Sequence, residues 1–379
     1  WSIPFIGAFS IFRAHLQVSL KRAVSSIGQI ICYIALIMAI LVYYPNDTSL
    51  AWATLLGNIL CFFLFLAVAR KTGYKYRPFL SLKEDYIKTV FLMIFPIFVS
   101  TLAAEISSIV DKFFASQYAD GIITSLTYGY QLSFAMQGIV SSSLLIVVFP
   151  VLADKAAQRD MAGVNRLVYQ CVELVSWIII PLVCGGIVLA EPIIHVLFGH
   201  GNFDSNSVKI TASVFSVYLL GVLPMCIKHI GDRTCFALKK TNYAMITTFI
   251  TVGMNVLLDY LMNRSFGYIG LVIATGISIL AGSISVFAMI KKDNGALSLI
   301  TVLKSIVKPF ISATVMVVAI LVVNRLLKSE THDAIRLIIC ITTGCAVYIA
   351  ASFAFFRQHI LTLIKQVIHP DNLNEGIVK

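Results

Sequence analysis

Hydrophobic residues in this chain run in long unbroken blocks, not in the one-sided stripe of a soluble helix. A helix rises about 1.5 Å per residue and the hydrocarbon core of a bilayer is about 30 Å thick, so about 20 apolar residues make one crossing. Blocks of that length stand at 26 to 44, 48 to 69, 88 to 113, 123 to 150, 168 to 190, 209 to 228, 242 to 262, 267 to 290, 305 to 324 and 335 to 356. The pattern predicts an all-α, polytopic transmembrane helical bundle, because backbone polar groups in lipid must be satisfied within their own segment. A shorter apolar run at 3 to 12 reads as the tail of an earlier helix. Trp1 in place of Met and the lack of a basic leader predict that further residues precede it.

Composition agrees: 59% of residues are hydrophobic, 12% are charged and the mean hydropathy is +0.90, against about 25% charged residues in a soluble domain. The net charge of +11 would suit nucleic acid if it formed a patch, but it is sorted by side. With alternate connections assigned to opposite faces, Lys112, Lys209, Arg264, Arg325, Lys328 and Arg336 fall on one face and the rest of the 29 lysines and arginines on the other. Basic loops stay in the cytoplasm, so the connection at 13 to 24 and the C-terminus are expected inside, in the bacterial cytoplasmic membrane. Nucleic acid is not an expected partner. The longest inner connection, Arg70 to Lys88, mixes basic residues with Tyr74, Tyr76, Phe79 and Leu80 and reads as a headgroup-level segment. Pro45, Asn46 and Asp47 read as a tight outer turn.

The eight cysteines sit singly, without metal or redox spacing, and read as small core residues. No Gly-rich phosphate loop, paired-histidine spacing or Gly-x-Ser-x-Gly elbow is present. The expectation is therefore no catalytic residue, no organic cofactor and no enzyme. Polar residues inside the spans say more, since an ionisable group in hydrocarbon costs at least a few kcal/mol and normally faces a cavity or a partner. They are Glu105, Asp111, Lys112, Gln131, Glu173, Asn255, Asp259 and Thr275. Glu105 and Lys112, seven apart on one helix face, read as mutually neutralising, and Glu173 as reaching the inner interface. Pro96, Pro181 and Pro224 interrupt spans, as helices bent around a cavity allow.

Several stretches resemble the MurJ (MviN) lipid II flippases. They are Ser125-Leu126-Thr127-Tyr128-Gly129-Tyr130-Gln131-Leu132 running to Val148-Phe149-Pro150-Val151-Leu152; Leu197-Phe198-Gly199-His200-Gly201-Asn202-Phe203; Lys228 with Arg233-Thr234-Cys235-Phe236-Ala237-Leu238-Lys239-Lys240-Thr241; and Gly270-Leu271-Val272-Ile273-Ala274-Thr275. Their order covers roughly residues 10 to 290. The resemblance implies a two-lobed exporter fold of fourteen helices within the multidrug/oligosaccharidyl-lipid/polysaccharide exporter superfamily, here lacking most of the N-lobe. Residues 1 to 150 would hold the remainder of the N-lobe and the start of the C-lobe, from the end of the fourth helix to the eighth, with the lobe junction near 70 to 88. Residues 151 to 379 would hold the rest. The implied activity is movement of an undecaprenyl-pyrophosphate-linked glycan, lipid II, from inner to outer leaflet by a monomer in contact with membrane lipids. A capsule or O-antigen unit is the alternative cargo, and a membrane glycosyl- or acyltransferase the alternative class. Substrate-cavity candidates are Gln131, Tyr128, Glu105 and Lys112. The family's eighth-helix Arg is replaced here by Gln131, and neighbouring charged positions read Tyr130 and Phe134.

A cation site is expected from Asp111, Asn255, Asp259, Thr275 and the carbonyl of Leu271. Asn255 and Asp259 are spaced i, i+4, as are Leu271 and Thr275 on the next helix, so each pair shares a face. Counting from the outer turns puts all five at a similar depth. Two carboxylates with neutral oxygens suit a hard cation, and the positions resemble the family's sodium site, so Na+ is the expected ion. The competing reading has Asp111 paired with Lys112 and Asp259 reaching the outer interface.

Overall fold

The computed structural model describes residues 2–18, 49–71, 85–119, 121–201, 203–294, 299–327 and 333–368, with isolated positions between 30 and 41. The predicted span at 26 to 44, the turn at Pro45 to Asp47, the aromatic part of the 70-to-88 connection and the chain end beyond Ile368 lie outside the described residues.

Eleven helices are described: α1 Ile3–Val18, α2 Ser49–Lys71, α3 Asp85–Ala115, α4 Ile122–Ala157, α5 Met161–Val188, α6 Ala190–Phe198, α7 Ser205–Ala237, α8 Thr241–Phe266, α9 Tyr268–Asn294, α10 Leu299–Leu326 and α11 Asp333–Ile368. No strand occurs among the described residues. Eight of these helices are long and apolar enough to cross a membrane. The block at 123 to 150 lies within α4, a continuous helix of 36 residues that carries Pro150 inside it. The chain is therefore a multi-pass membrane protein.

Helices overrun their apolar blocks because polar ends are free to continue into water. At the inner end of α5 the Asp160 carboxylate accepts from the Gly163 N–H at 2.8 Å, which satisfies an orphan donor of the first turn. That bond holds the Asp160 carboxyl below the usual carboxylate range. At the outer end of α7, Asp204 does the same for the Ser207 N–H at 2.8 Å. The nine-residue α6 was not expected; Glu191 and Pro192 in its first turn are the usual starting residues of a helix. In α11 the backbone breaks at Phe356, with φ −133° and ψ 25°, where the apolar block had ended.

The chain divides into two compact units, Trp1–Glu84 and Asp85–Lys379. In the first, α1 packs on α2 through Phe9 and Phe65, whose rings stack at 5.9 Å, over a core that includes buried Cys61. Cys61 is disulfide-bonded, which departs from the reading of every cysteine as a lone core residue. Cys171, Cys226, Cys235 and Cys340 are buried and outside any disulfide. In the second unit α7 is the central helix, packed against α4, α5, α6, α8 and α9, with Val214, Phe215, Leu219 and Cys226 fully buried. Gly129 lets α4 approach it closely: a Cβ there would come within 2.6 Å of Val214 Cγ1 and 3.2 Å of the Phe215 nitrogen. Exposed Phe91, Phe95, Ile106 and Ile109 on α3, and Leu303, Val307 and Phe310 on α10, are faces that suit lipid.

Three crossings, α7 to α9, separate Ser205 from Asn294. In a cysteine-free background an impermeant thiol reagent should label Ser205→Cys in intact cells and Asn294→Cys only after permeabilisation. The opposite pattern would invert the topology.

Candidate functional site

A cavity of about 680 Å³ opens among α3, α4, α7, α8 and α9. Its outer end is set by two tight turns. Tyr118, between α3 and α4, donates from its hydroxyl to the Asn263 carbonyl at 3.3 Å and to the Asn263 side-chain oxygen, and its ring meets Tyr268 edge-on at 6.0 Å. Beneath them Ala115, Ile122, Leu126, Val214, Tyr218, Leu271 and Val272 form a buried cluster. The ends of α3, α8 and α9 are thus fixed on α7.

Four of the five candidate cation ligands, Asp111, Asn255, Leu271 and Thr275, line this cavity. Asp111 has Asp259 and Asn255 as neighbours. Asp259 is fully buried and Asn255 is 4% exposed. Ser107, one turn before Asp111, donates to Asn255 Oδ1 at 2.5 Å. The Thr275 hydroxyl donates to the Leu271 carbonyl at 2.9 Å. Asp111 Oδ1, both Asp259 oxygens and Asn255 Nδ2 are buried without a partner. Buried polar groups are normally satisfied, and two adjacent carboxylates cannot both stay charged in a dry site without a cation or a shared proton. The residues therefore fit a bound cation. The candidate donors are hard oxygens: two carboxylates, an amide, a hydroxyl and a carbonyl.

Glu105, Lys112 and Gln131 line the same cavity. The expected Glu105–Lys112 neutralisation does not occur: among the described residues neither forms an ion pair, and Lys112 does not pair with Asp111. Both side chains are exposed, so water screens them separately. Tyr128 stands apart from the lining. One residue beyond cavity-lining Thr127, it is turned about 100° round α4, and its ring stacks on Phe198 at 4.8 Å with an interplanar angle of 6°. Tyr130 and Phe134, 4.4 Å apart, instead form an aromatic wall with Tyr218.

Three polar groups of the inner end were missed. Lys228, read as a loop residue that ended its span, lies inside α7, nine residues before the helix end at Ala237. It is 7% exposed and donates to Asp232 Oδ2 at 2.8 Å. His229 Nδ1 lies 2.8 Å from Gln137 Nε2 on α4. Lys228, His229 and Asp232 all line the cavity. The i, i+4 spacing of Lys228 and Asp232 was the available signal.

The family described as Lipid II flippase MurJ matches this chain over residues 1–342. A probable lipid II flippase MurJ of Bdellovibrio bacteriovorus is 23% identical over 298 residues, covering 79% of this chain and 57% of that protein. Its Vibrio cholerae counterpart is 24% identical over 282 residues, covering 73% and 53%. The chain thus spans little more than half the length of these relatives. Among solved structures, a lipid II flippase MurJ in an inward closed conformation aligns with TM-score 0.75 at 25% identity, over 95% of this chain and 73% of that one. A Vibrio cholerae MATE transporter shares the fold, with TM-score 0.62 at 12% identity.

Proposed function

The chain belongs to the lipid II flippase MurJ family, and from that premise we propose that the protein moves lipid II, a polyprenyl-pyrophosphate-linked glycan, from the inner to the outer leaflet by alternating access. The family is one of transporters, not enzymes. The observation that carries the reading is the open cavity among α4 and the membrane-crossing helices α3, α7, α8 and α9, with Glu105, Asp111, Lys112, Lys228 and Asp232 in its lining, since charged lining there is tolerated only around a cavity. A polar head is too costly to cross lipid unaided. Within the cavity the head trades water for side-chain partners while the isoprenoid tail stays in lipid.

We further propose that transport is coupled to sodium held by Asp111, Asn255, Asp259, the Leu271 carbonyl and Thr275. The unpartnered carboxylate oxygens support this, and the ion would supply the positive charge that lets Asp111 and Asp259 face each other. Asn255 and Asp259 belong to α8, Leu271 and Thr275 to α9, and Asp111 to α3. Ligands drawn from three helices mean that binding tightens one closed arrangement of their outer ends over a splayed one. A gradient can therefore bias the two states.

The alternative cargo, a capsule or O-antigen lipid-linked unit, draws support from Gln131, which leaves α4 without a cation on the cavity wall. Expressed as the full-length protein in cells depleted of their own lipid II flippase, the wild type should restore growth. Gln131→Arg should match or exceed it. Failure of both, with rescue of a capsule or O-antigen flippase mutant, would transfer the assignment to that cargo.

A further inference from the structure

We propose that Lys228 and His229, at the inner end of the cavity, form an oxyanion site that takes a phosphate oxygen of the cargo, with Asp232 as the displaceable counter-ion of Lys228. This rests on the flippase reading above. An ammonium carries three N–H donors, and among the described residues Lys228 uses one, toward Asp232 Oδ2 at 2.8 Å. The other Asp232 oxygen is buried and unpartnered. A buried pair that served only the fold would need its remaining donors and lone pairs met by protein, because desolvating two charges is otherwise repaid poorly. Here they are unmet, and Lys228 borders open space.

His229 adds a second donor. The amide nitrogen of Gln137 can only donate, so His229 Nδ1, 2.8 Å away, accepts. The neutral ring then carries its proton on Nε2. Across the cavity, Thr248 and Thr251 give their hydroxyl protons to the Ala244 and Thr247 carbonyls, both at 2.9 Å, and add no competing positive charge. The ligand these groups fit is an anionic oxygen. A metal cation would be repelled by the Lys228 ammonium, and a sugar hydroxyl would bring no negative charge to pair with it, whereas an anionic oxygen gains both the hydrogen bond and the ion pair. Gln137 lies six residues inward of Gln131 on α4, about 9 Å along the helix. The cation absent at Gln131 is thus supplied deeper, from α7. An incoming phosphate oxygen takes the Lys228 donors that Asp232 leaves unused, and then competes with Asp232 for the third.

The test is equilibrium binding to the purified full-length protein of inorganic pyrophosphate, a sugar-free polyprenyl pyrophosphate and the disaccharide-linked lipid, with melting temperature recorded for each variant. Lys228→Gln should weaken the two lipid-linked ligands by about tenfold to a hundredfold, the loss of a charge-assisted bond. Lys228→Arg should retain binding, and His229→Phe should weaken it severalfold. Asp232→Asn, which removes the competitor, should bind at least as tightly as wild type even where its melting temperature falls. Lys228→Gln/Asp232→Asn should regain stability without regaining binding. Equal lipid binding by wild type and Lys228→Gln overturns the site. So do parallel losses in Lys228→Gln and Asp232→Asn that follow melting temperature. A response confined to inorganic pyrophosphate overturns the assignment to cargo. Rescue of lipid II export by the wild type together with unchanged Lys228→Gln binding sinks this proposal alone. Failed rescue with Lys228-dependent pyrophosphate binding sinks the flippase reading and leaves the anion site standing.

Discussion

Asp259→Ala will abolish the stabilisation of the purified full-length protein by sodium, and Asp111→Ala will do the same. The two carboxylates are neighbours, and three of their four oxygens are buried without a partner. Sodium at about a hundred times its dissociation constant adds about 2.7 kcal/mol of stability to a protein that binds it only when folded. Wild type should therefore melt several degrees higher in sodium than in a large organic cation of equal ionic strength. Each variant should give the same melting temperature in both. In the organic cation alone the sign reverses: removing one of two facing carboxylates relieves their repulsion, so both variants should be at least as stable as wild type there. A general structural defect would lower stability in either salt and leave the sodium increment intact. Equal melting of the wild type in the two salts would mean that the carboxylates share a proton or are otherwise neutralised, and the sodium proposal would be lost.

The parts of this site that could be read in the sequence are those that depend on helical spacing alone. Asn255 with Asp259 and Leu271 with Thr275 fall on two faces joined by a short turn, so their expected meeting follows from the 3.6-residue period and from counting inward from the outer turn. The cytoplasmic end was harder because hydropathy treats a lysine as a boundary. Lys228 ended the predicted span, yet α7 runs on to Ala237, because a charged side chain facing a cavity does not meet lipid. Tyr128 shows the opposite failure. It belongs to the same motif as Gln131, but motif membership says nothing about rotation about the helix axis, and stacking on Phe198 draws its ring away. The short α6 and the break at Phe356 depend on tertiary packing and local backbone, which leave little trace in an apolar block.

Gly270→Ala is expected to cost both stability and the sodium response, although the substitution adds one methyl group and favours helix by intrinsic propensity. The α8–α9 turn is built on Gly267, at φ 61° and ψ −147°, a conformation open essentially to glycine alone. It folds α9 back so tightly that a Cβ on Gly270 would stand 2.6 Å from the Met262 carbonyl carbon and 3.2 Å from the Asn263 nitrogen. Those atoms are backbone. No rotamer change can clear them, so α9 must shift against α8 at its first turn, and overpacking of this kind costs about 1–3 kcal/mol. The next residue is Leu271, whose carbonyl belongs to the proposed site, and Thr275 follows one turn later. Displacement there separates the α9 oxygens from Asp259 and Asn255, so the sodium increment should shrink with the melting temperature. Gly253→Ala is the matched control: Gly253 lies in α8, where an added Cβ would meet nothing within 4 Å, and the stability of that variant should stay the same or rise by up to about 1 kcal/mol. Thermal melting of both variants in sodium and in the organic cation checks this. A Gly270→Ala protein that melts and responds to sodium as wild type does would show that the turn can yield without moving the site.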